Sequence, residues 1–224
     1  MAKLPFPILY EDNHLLVVDK PAGLATMGVA PEIPSVLSEA KRYIKQKYDK
    51  PGNVYLGIVS RLDAPVTGVL VLARTSKAAS RLTEQFRSKQ VQKAYWALVP
   101  PGLAADEATL RDWVRKDERH RRMHITREDV SGAKEAILSY RTLQNNRRST
   151  LLEVDLQTGR KHQIRLQLSS DGYPILGDRK YGSEVSFSNG IALHAHSLAF
   201  QHPVQDQQLE FTAPLPASWE SFGY

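Results

Sequence analysis

The 224-residue sequence contains no cysteine. That absence removes disulfide scaffolds, thiolate metal sites and thiol catalysis together, and it agrees with a reducing compartment. No run of about 18 apolar residues occurs, so no membrane-spanning helix is expected. The opening Met1-Ala2-Lys3-Leu4-Pro5-Phe6-Pro7 has none of the apolar stretch of a signal peptide, and a cytoplasmic protein is expected. Gly and Pro number only 13 each, which excludes fibrous and low-complexity chains. No phosphate-binding P-loop and no GxGxxG dinucleotide fingerprint occurs. A GxSxG nucleophile elbow is also missing, since the serine of Gly57-Ile58-Val59-Ser60-Arg61 is displaced. His120 and His124 are spaced i, i+4, and His194 and His196 are spaced i, i+2, but neither pair has a third ligand at metal-site spacing. Neither metal nor cofactor is expected. There is no internal repeat.

What is present is an ordinary globular composition, 42% hydrophobic and 24% charged. Lys plus Arg outnumber Asp plus Glu by 30 to 24, a net charge of +6. Such an excess suits an anionic partner such as nucleic acid, although many unrelated enzymes share it. Leu15 to Val18, Val69 to Ala73 and Tyr95 to Val99 read as apolar strands. Leu152, Val154 and Leu156 alternate with acidic residues as in a half-buried strand. Helical spacing follows Ser35 (Val36, Leu37, Ala40, Ile44, Tyr48) and Ser76 (Ala78, Ala79, Leu82, Phe86), each serine a candidate cap. A third helix is expected from about Lys161, stopped by Gly172 before Pro174. Without steady strand–helix alternation, an α+β fold is indicated. Residues 27–34 read as a loop, and 100–106 as a junction between lobes. The stretch from Arg111 to Arg127, with Arg115, Lys116, Arg119, Arg121 and Arg122 between, reads either as a solvated hairpin or loop or as a phosphate-contacting arm.

Three segments carry candidate chemistry. In an extended chain Arg61 and Asp63 project to one side and Leu62 to the other. A guanidinium beside a carboxylate keeps it ionised, and Pro65 and Gly68 imply a turn there. The plainer reading is a surface ion pair. In Thr158-Gly159-Arg160-Lys161-His162-Gln163-Ile164-Arg165 a turn leads into a basic helix start, where exposed N–H groups, Arg160 and Lys161 attract anions. Arg165, one turn on, either reaches inward to a buried carboxylate or lies on a solvated polar face. Tyr95 opens an apolar strand, where its ring can stack on a base and its hydroxyl can move a proton, or where it is simply core.

Together these segments resemble the RluA-type pseudouridine synthases. Ile8 to Gly23, with Lys20-Pro21-Ala22-Gly23, resembles the family's opening segment. Arg61-Leu62-Asp63 with Thr67-Gly68 resembles the catalytic motif. Lys93-Ala94-Tyr95, Thr158 to Arg165, Pro174 to Asp178, Leu193-His194-Ala195 and Phe200 to Pro203 resemble later motifs, in the family's order. The resemblance implies a mixed, mostly antiparallel central sheet in two lobes with a catalytic cleft. It implies one catalytic domain over 1–224, without an N-terminal accessory RNA-binding domain, and a monomer. The implied activity is isomerisation of uridine in ribosomal or transfer RNA to pseudouridine, by base flipping and without cofactor. Asp63 would attack C1′ or remove a sugar proton. Arg61 would fill the space left by the flipped base, and Tyr95 would stack on that base or deprotonate C5. Arg165 would pair with Asp63, Leu193 would pack under the base, and Arg160, Lys161 and His162 would bind RNA. Ser60 stands where the family has His, and Val66-Thr67-Gly68 where it has Thr-Ser-Gly. The alternative is therefore a catalytically impaired RNA-binding protein of the same fold. A hydrolase would need a second carboxylate as acid, and the matched motifs supply none.

Overall fold

The computed structural model describes residues 4–120 and 122–224. Met1-Ala2-Lys3 of the opening segment and Arg121 of the basic stretch lie outside the described residues. The elements in chain order are β1 (Ile8–Glu11), β2 (Leu15–Lys20), α1 (Val36–Lys47), β3 (Gly57–Ile58), β4 (Thr67–Ala73), α2 (Ser76–Arg87), β5 (Gln92–Val99), β6 (Glu107–Asp117), β7 (Arg122–Thr126), β8 (Lys134–Asn145), β9 (Thr150–Leu156), α3 (Gln163–Ser170), β10 (Leu193–Gln201) and β11 (Gln208–Thr212). The chain forms two units, residues 4–93 with Ala195–Leu215, and Ala94–His194 with Pro216–Tyr224.

In the first unit the strand order is β1-β2-β4-β10, with β3 on β4 and β11 on β10. The β1–β2, β2–β4, β3–β4 and β10–β11 pairs are antiparallel. Register explains the unbroken apolar runs. Leu15 and Val17 sit opposite Ala73 and Val71 on one face, and Leu16 and Val18 sit opposite Leu72 and Leu70 on the other. Both faces are buried, so no polar alternation survives. Leu15, Val17, Val69 and Val71 pack with Ala78 and Leu82 of α2 and with Phe200.

Ser35 caps α1 in a capping box with Ser38, and Val36, Ala40 and Ile44 are its buried stripe. Tyr48 is exposed rather than core; its hydroxyl bonds Glu11, and Arg74 lies over its ring. The cap of α2 is Thr75, not Ser76: its hydroxyl accepts the Ala78 N–H at 3.1 Å, and Ser76 is the first helical residue. Asp12 accepts the N–H groups of His14 and Leu15 and bonds His202 Nε2 at 2.9 Å. Because His202 Nδ1 accepts from Val204 and Gln205 N–H, Nε2 carries the proton that His202 donates to Asp12.

The second unit has the strand order β5-β9-β8-β6-β7, with antiparallel neighbours throughout. Helix α3 covers one sheet face. Its Gln167 Nε2 reaches the Leu110 and Ala136 carbonyls and the Asp112 carboxylate, and Leu166 packs with Val114, Met123, Ala136 and Tyr181. The helix begins at Gln163, two residues later than expected, because the Gln163 side chain binds back to Thr158 and Arg160 and holds the preceding turn out of the helix. At its other end Gly172 (φ 93°) gives a Schellman close, with Tyr173 N–H on Leu168 O and Gly172 N–H on Ser169 O. The lobe junction expected at 100–106 lies inside this unit as the β5–β6 connection. The chain changes unit within β5, between Lys93 and Ala94. The fold is α+β with a mixed, mostly antiparallel sheet architecture.

Candidate active site

Strand β3 ends at Ile58, and residues 59–63 run on without regular structure. The expected alternation still holds: Leu62 is buried, Arg61 is exposed and Asp63 is half-buried. Thr26 fixes this backbone from both sides. Its hydroxyl donates to Leu62 O at 2.8 Å and accepts from Leu62 N–H at 3.1 Å. The chain then turns, with Val66 N–H on Asp63 O and Gly23 N–H on Ala64 O. Gly68 closes the turn at φ 111°, and a Cβ there would lie 2.2 Å from Ala195 O, so only glycine fits.

Within this unit Lys20 and Asp63 lie in each other's field, while Arg61, next but one to Asp63, is exposed. Lys20 closes β2 and is 0% exposed. Its ammonium donates to the carbonyls of Pro21 (2.7 Å), Leu24 (2.8 Å) and Ala64 (3.0 Å). Burial pushes its pKa down to about 7, opposed by the negative charges of Asp63 and Asp19. Burial in turn pushes the Asp19 carboxyl up, against the pull of Lys20.

In the second unit Tyr95 is half-buried rather than core. Register places it opposite Val154, which faces Tyr140, on the side of the sheet that α3 covers. Thr158 and Gln163 lash the segment that carries Arg160, Lys161 and His162 to β8. Ile137 N–H donates to Thr158 Oγ1 at 2.8 Å, and Gln163 Nε2 donates to Ile137 O at 3.0 Å. Arg160 is half-buried and donates from Nε to Glu135 O, while Lys161 is exposed. His162 holds a left-handed backbone (φ 53°), and its Nδ1 lies 2.7 Å from the Tyr181 hydroxyl.

Arg165 is 5% exposed, which overturns the reading of a solvated cationic face. It does reach inward to a buried carboxylate, and within its own unit that carboxylate is Asp178, 1% exposed. The contact is bidentate, Nε to Oδ2 at 2.7 Å and Nη2 to Oδ1 at 2.9 Å, with the guanidinium 5.1 Å from the Tyr181 ring centre. Leu193 opens β10 and is buried. The basic stretch is the β6–β7 hairpin. Val114 and Met123 point to the core, while Arg115, Arg119 and Arg122 are exposed.

A family profile described as RNA pseudouridylate synthase matches residues 14–170. The chain belongs to the RNA pseudouridylate synthase family. It is 36% identical over 227 residues to ribosomal large subunit pseudouridine synthase D of Xylella fastidiosa, covering 95% of this chain and 67% of the relative. It is 34% identical over 218 residues to the RNA pseudouridine synthase YhcT of Bacillus subtilis, covering 96% and 70%. Among solved structures, human RNA pseudouridylate synthase domain containing 4 superposes with a TM-score of 0.78 at 26% identity, over 95% of this chain and 91% of that one. The RluA-type resemblance read from the motifs is thus borne out, and the enzyme is an RNA pseudouridine synthase, an isomerase. No helix among the described residues is long and apolar enough to cross a membrane.

Sequence reasoning gave no role to Lys20, Thr26, Asp178 or Tyr181. Lys20 carries a signal, a lysine ending an apolar strand just before Pro21-Ala22-Gly23. Asp178 closes the Pro174 to Asp178 motif. Thr26 and Tyr181 carry none.

Proposed function

We propose that this synthase isomerises a uridine in structured RNA, with Asp63 as the reacting carboxylate. The N1–C1′ bond breaks, the base turns in place, C5 bonds to C1′, the C5 hydrogen leaves and N1 takes up a proton. No atom is gained or lost overall, so the reaction itself calls for no cofactor. The uridine is extruded from the RNA at a cost of about a few kcal/mol for unstacking. Asp63 then acts as an anion, at C1′ or on a sugar proton. The observation that carries this reading is the seat of Asp63: a half-exposed carboxylate on a backbone held by Thr26 and by the carbonyl-bound Lys20. The exposed Arg61 beside it is the side chain to fill the vacated stack.

Tyr95 stacks on the extruded base or takes the C5 proton, and Leu193 supports the base from below. Arg165, rigidly gripped by Asp178, is the guanidinium assigned to pair with Asp63 and orient it. Arg160, Lys161 and His162 contact the RNA backbone, as do the exposed arginines of the β6–β7 hairpin. Large-subunit ribosomal RNA is the first target to test, given the name of the Xylella relative. Carbodiimide mapping of pseudouridine in cellular RNA, with and without the gene, tests the reading. Loss of at least one site in the deletion strain, restored by the wild-type gene and not by an Asp63→Ala gene, is expected. RNA binding with an unchanged map overturns it.

A further inference from the structure

Strand β7 ends the strand order of its unit, so its outer edge offers N–H groups that no further strand takes up. One of these, Met123 N–H, donates at 3.0 Å to the hydroxyl of Tyr181, 58 positions along the chain. Tyr181 closes the short helical turn Arg179–Tyr181 and is buried. The same hydroxyl lies 2.7 Å from His162 Nδ1, and the two rings meet edge to face. A phenol has one proton, and a hydroxyl that accepts from Met123 has that proton left to give. The second bond therefore runs from Tyr181 to His162, with Nδ1 as acceptor. A neutral imidazole that accepts at one nitrogen carries its proton on the other, which here is Nε2. Tyr181 is itself well fixed: its N–H bonds Asp178 O at 3.0 Å, and the Arg165 guanidinium lies 5.1 Å from its ring centre. The ring it holds is half-buried, follows Arg160 and Lys161 directly, and stands on a left-handed backbone (φ 53°). A side chain in that conformation persists only where its surroundings over-determine it, and such positions cluster where ligands are gripped.

We propose that Tyr181 is a positioning residue for RNA recognition, its hydroxyl fixing His162 as the Nε2–H tautomer so that His162 meets an RNA phosphate oxygen as a hydrogen-bond donor. The proposal rests on the reading of His162 as an RNA contact. Phosphate oxygens only accept, so an imidazole that turned a bare nitrogen toward them would gain nothing. Without the hydroxyl the ring divides between two tautomers and two flips, and RNA must select one of them at a cost in affinity. With it, the selection is made before RNA arrives. The same oxygen ties the ring to the strand that carries the exposed Arg122, so two cationic parts of the unit share one anchor.

Two measurements test this. The first is the NMR spectrum of wild-type protein labelled with nitrogen-15 in its histidine rings, in which a bare ring nitrogen and a protonated one are well separated. The His162 signals are assigned by their loss in His162→Gln. A bare Nδ1 and a protonated Nε2 are expected at neutral pH, and a protonated Nδ1 overturns the proposal without any change at Tyr181. The second is a double-mutant cycle read as the dissociation constant of a fluorescent transcript that spans the uridine found by carbodiimide mapping. Tyr181→Phe deletes the hydroxyl and keeps the ring beside Arg165. It is expected to weaken binding about tenfold when residue 162 is His, the scale of one hydrogen bond to a charged group. With His162→Gln in place the same change should cost less than about twofold, because an amide N–H donates whatever Tyr181 does. Loss of the acceptor for Met123 N–H is common to both backgrounds, so a merely structural role for Tyr181 gives equal losses in both, and equal losses overturn the proposal. His162→Ala, measured alongside, separates the two levels. If it binds like wild type, the reading of His162 as an RNA contact fails; if it binds weakly while Tyr181→Phe binds like wild type, the role of Tyr181 alone fails.

Discussion

Replacing Asp178 by Asn removes one charge from a buried, bidentate pair and leaves the outline of the side chain unchanged. The partner guanidinium of Arg165 is then left in the interior without the carboxylate that meets its Nε and Nη2 at 2.7 and 2.9 Å. Breaking such a pair from one side typically costs about 3–5 kcal/mol, because a buried charge loses a bidentate partner. That is a large part of the roughly 5–15 kcal/mol that holds a domain together. At about 2–4 °C per kcal/mol for a chain of this size, the melting temperature should drop by about 6–20 °C. Removing both charges is a different experiment, since a well-packed apolar pair avoids the desolvation of either ion. Urea unfolding at neutral pH of wild type, Asp178→Asn, Arg165→Met and Arg165→Met/Asp178→Leu makes the comparison. The double variant should be less damaged than the sum of the singles, by about 2 kcal/mol or more. A single-variant loss under about 1 kcal/mol, or strict additivity, would refute the reasoning that the pair is a desolvated unit.

Three further outcomes follow from the structure. Gly68→Ala places a Cβ 2.2 Å from Ala195 O at a φ of 111°, so strain and overpacking together should cost about 3 kcal/mol or more in unfolding free energy; a loss under about 1 kcal/mol contradicts that close approach. Partial burial pushes the Asp12 carboxyl up, but the N–H groups of His14 and Leu15 and the ring of His202 outweigh it and leave its pKa below the ordinary 3.8. The unfolded chain therefore binds this proton more tightly, so the stability Asp12 adds is present above about pH 4 and lost as pH falls below it. The stability gap between wild type and Asp12→Asn should accordingly shrink between about pH 6 and pH 3, and a constant gap would contradict the assignment. Finally, Arg115→Ala with Arg122→Ala on the hairpin should weaken RNA affinity and lower the slope of log affinity against log salt by roughly 0.7–0.9 for each phosphate no longer neutralised; an unchanged slope would remove the hairpin from the RNA interface.

The sequence was most legible where local pattern and tertiary role coincide. Val69 to Ala73 reads as a buried strand because both its faces are covered, and Val36, Ala40 and Ile44 read as a helix stripe because they are one. Adjacent residues with equivalent chemistry were harder. Thr75 and Ser76 can each cap α2, and only the hydrogen bond to Ala78 N–H decides between them. The start of α3 was misplaced because a back-bond from Gln163 to Thr158 and Arg160 is a tertiary-quality contact made by neighbours in sequence. Arg61, Asp63, Tyr95 and Arg165 stand out in the sequence by residue chemistry, and the motif resemblance adds roles for them, but neither shows the contacts that seat them. The partners were hidden because folding supplies them. Asp178 is 13 positions from Arg165 across a loop, and Ala64 is 44 positions from Lys20. Nothing in the spacing of either pair announces a buried contact.

Catalysis by the Asp63 carboxylate is tested most directly by tritium release from RNA transcribed with uridine labelled at C5, since that hydrogen leaves only when C5 bonds to C1′. With a target RNA identified by the cellular map, wild type should release label and Asp63→Asn should release none above background while binding the same RNA with similar affinity. Release by Asp63→Asn at a rate comparable to wild type would contradict the account at its centre.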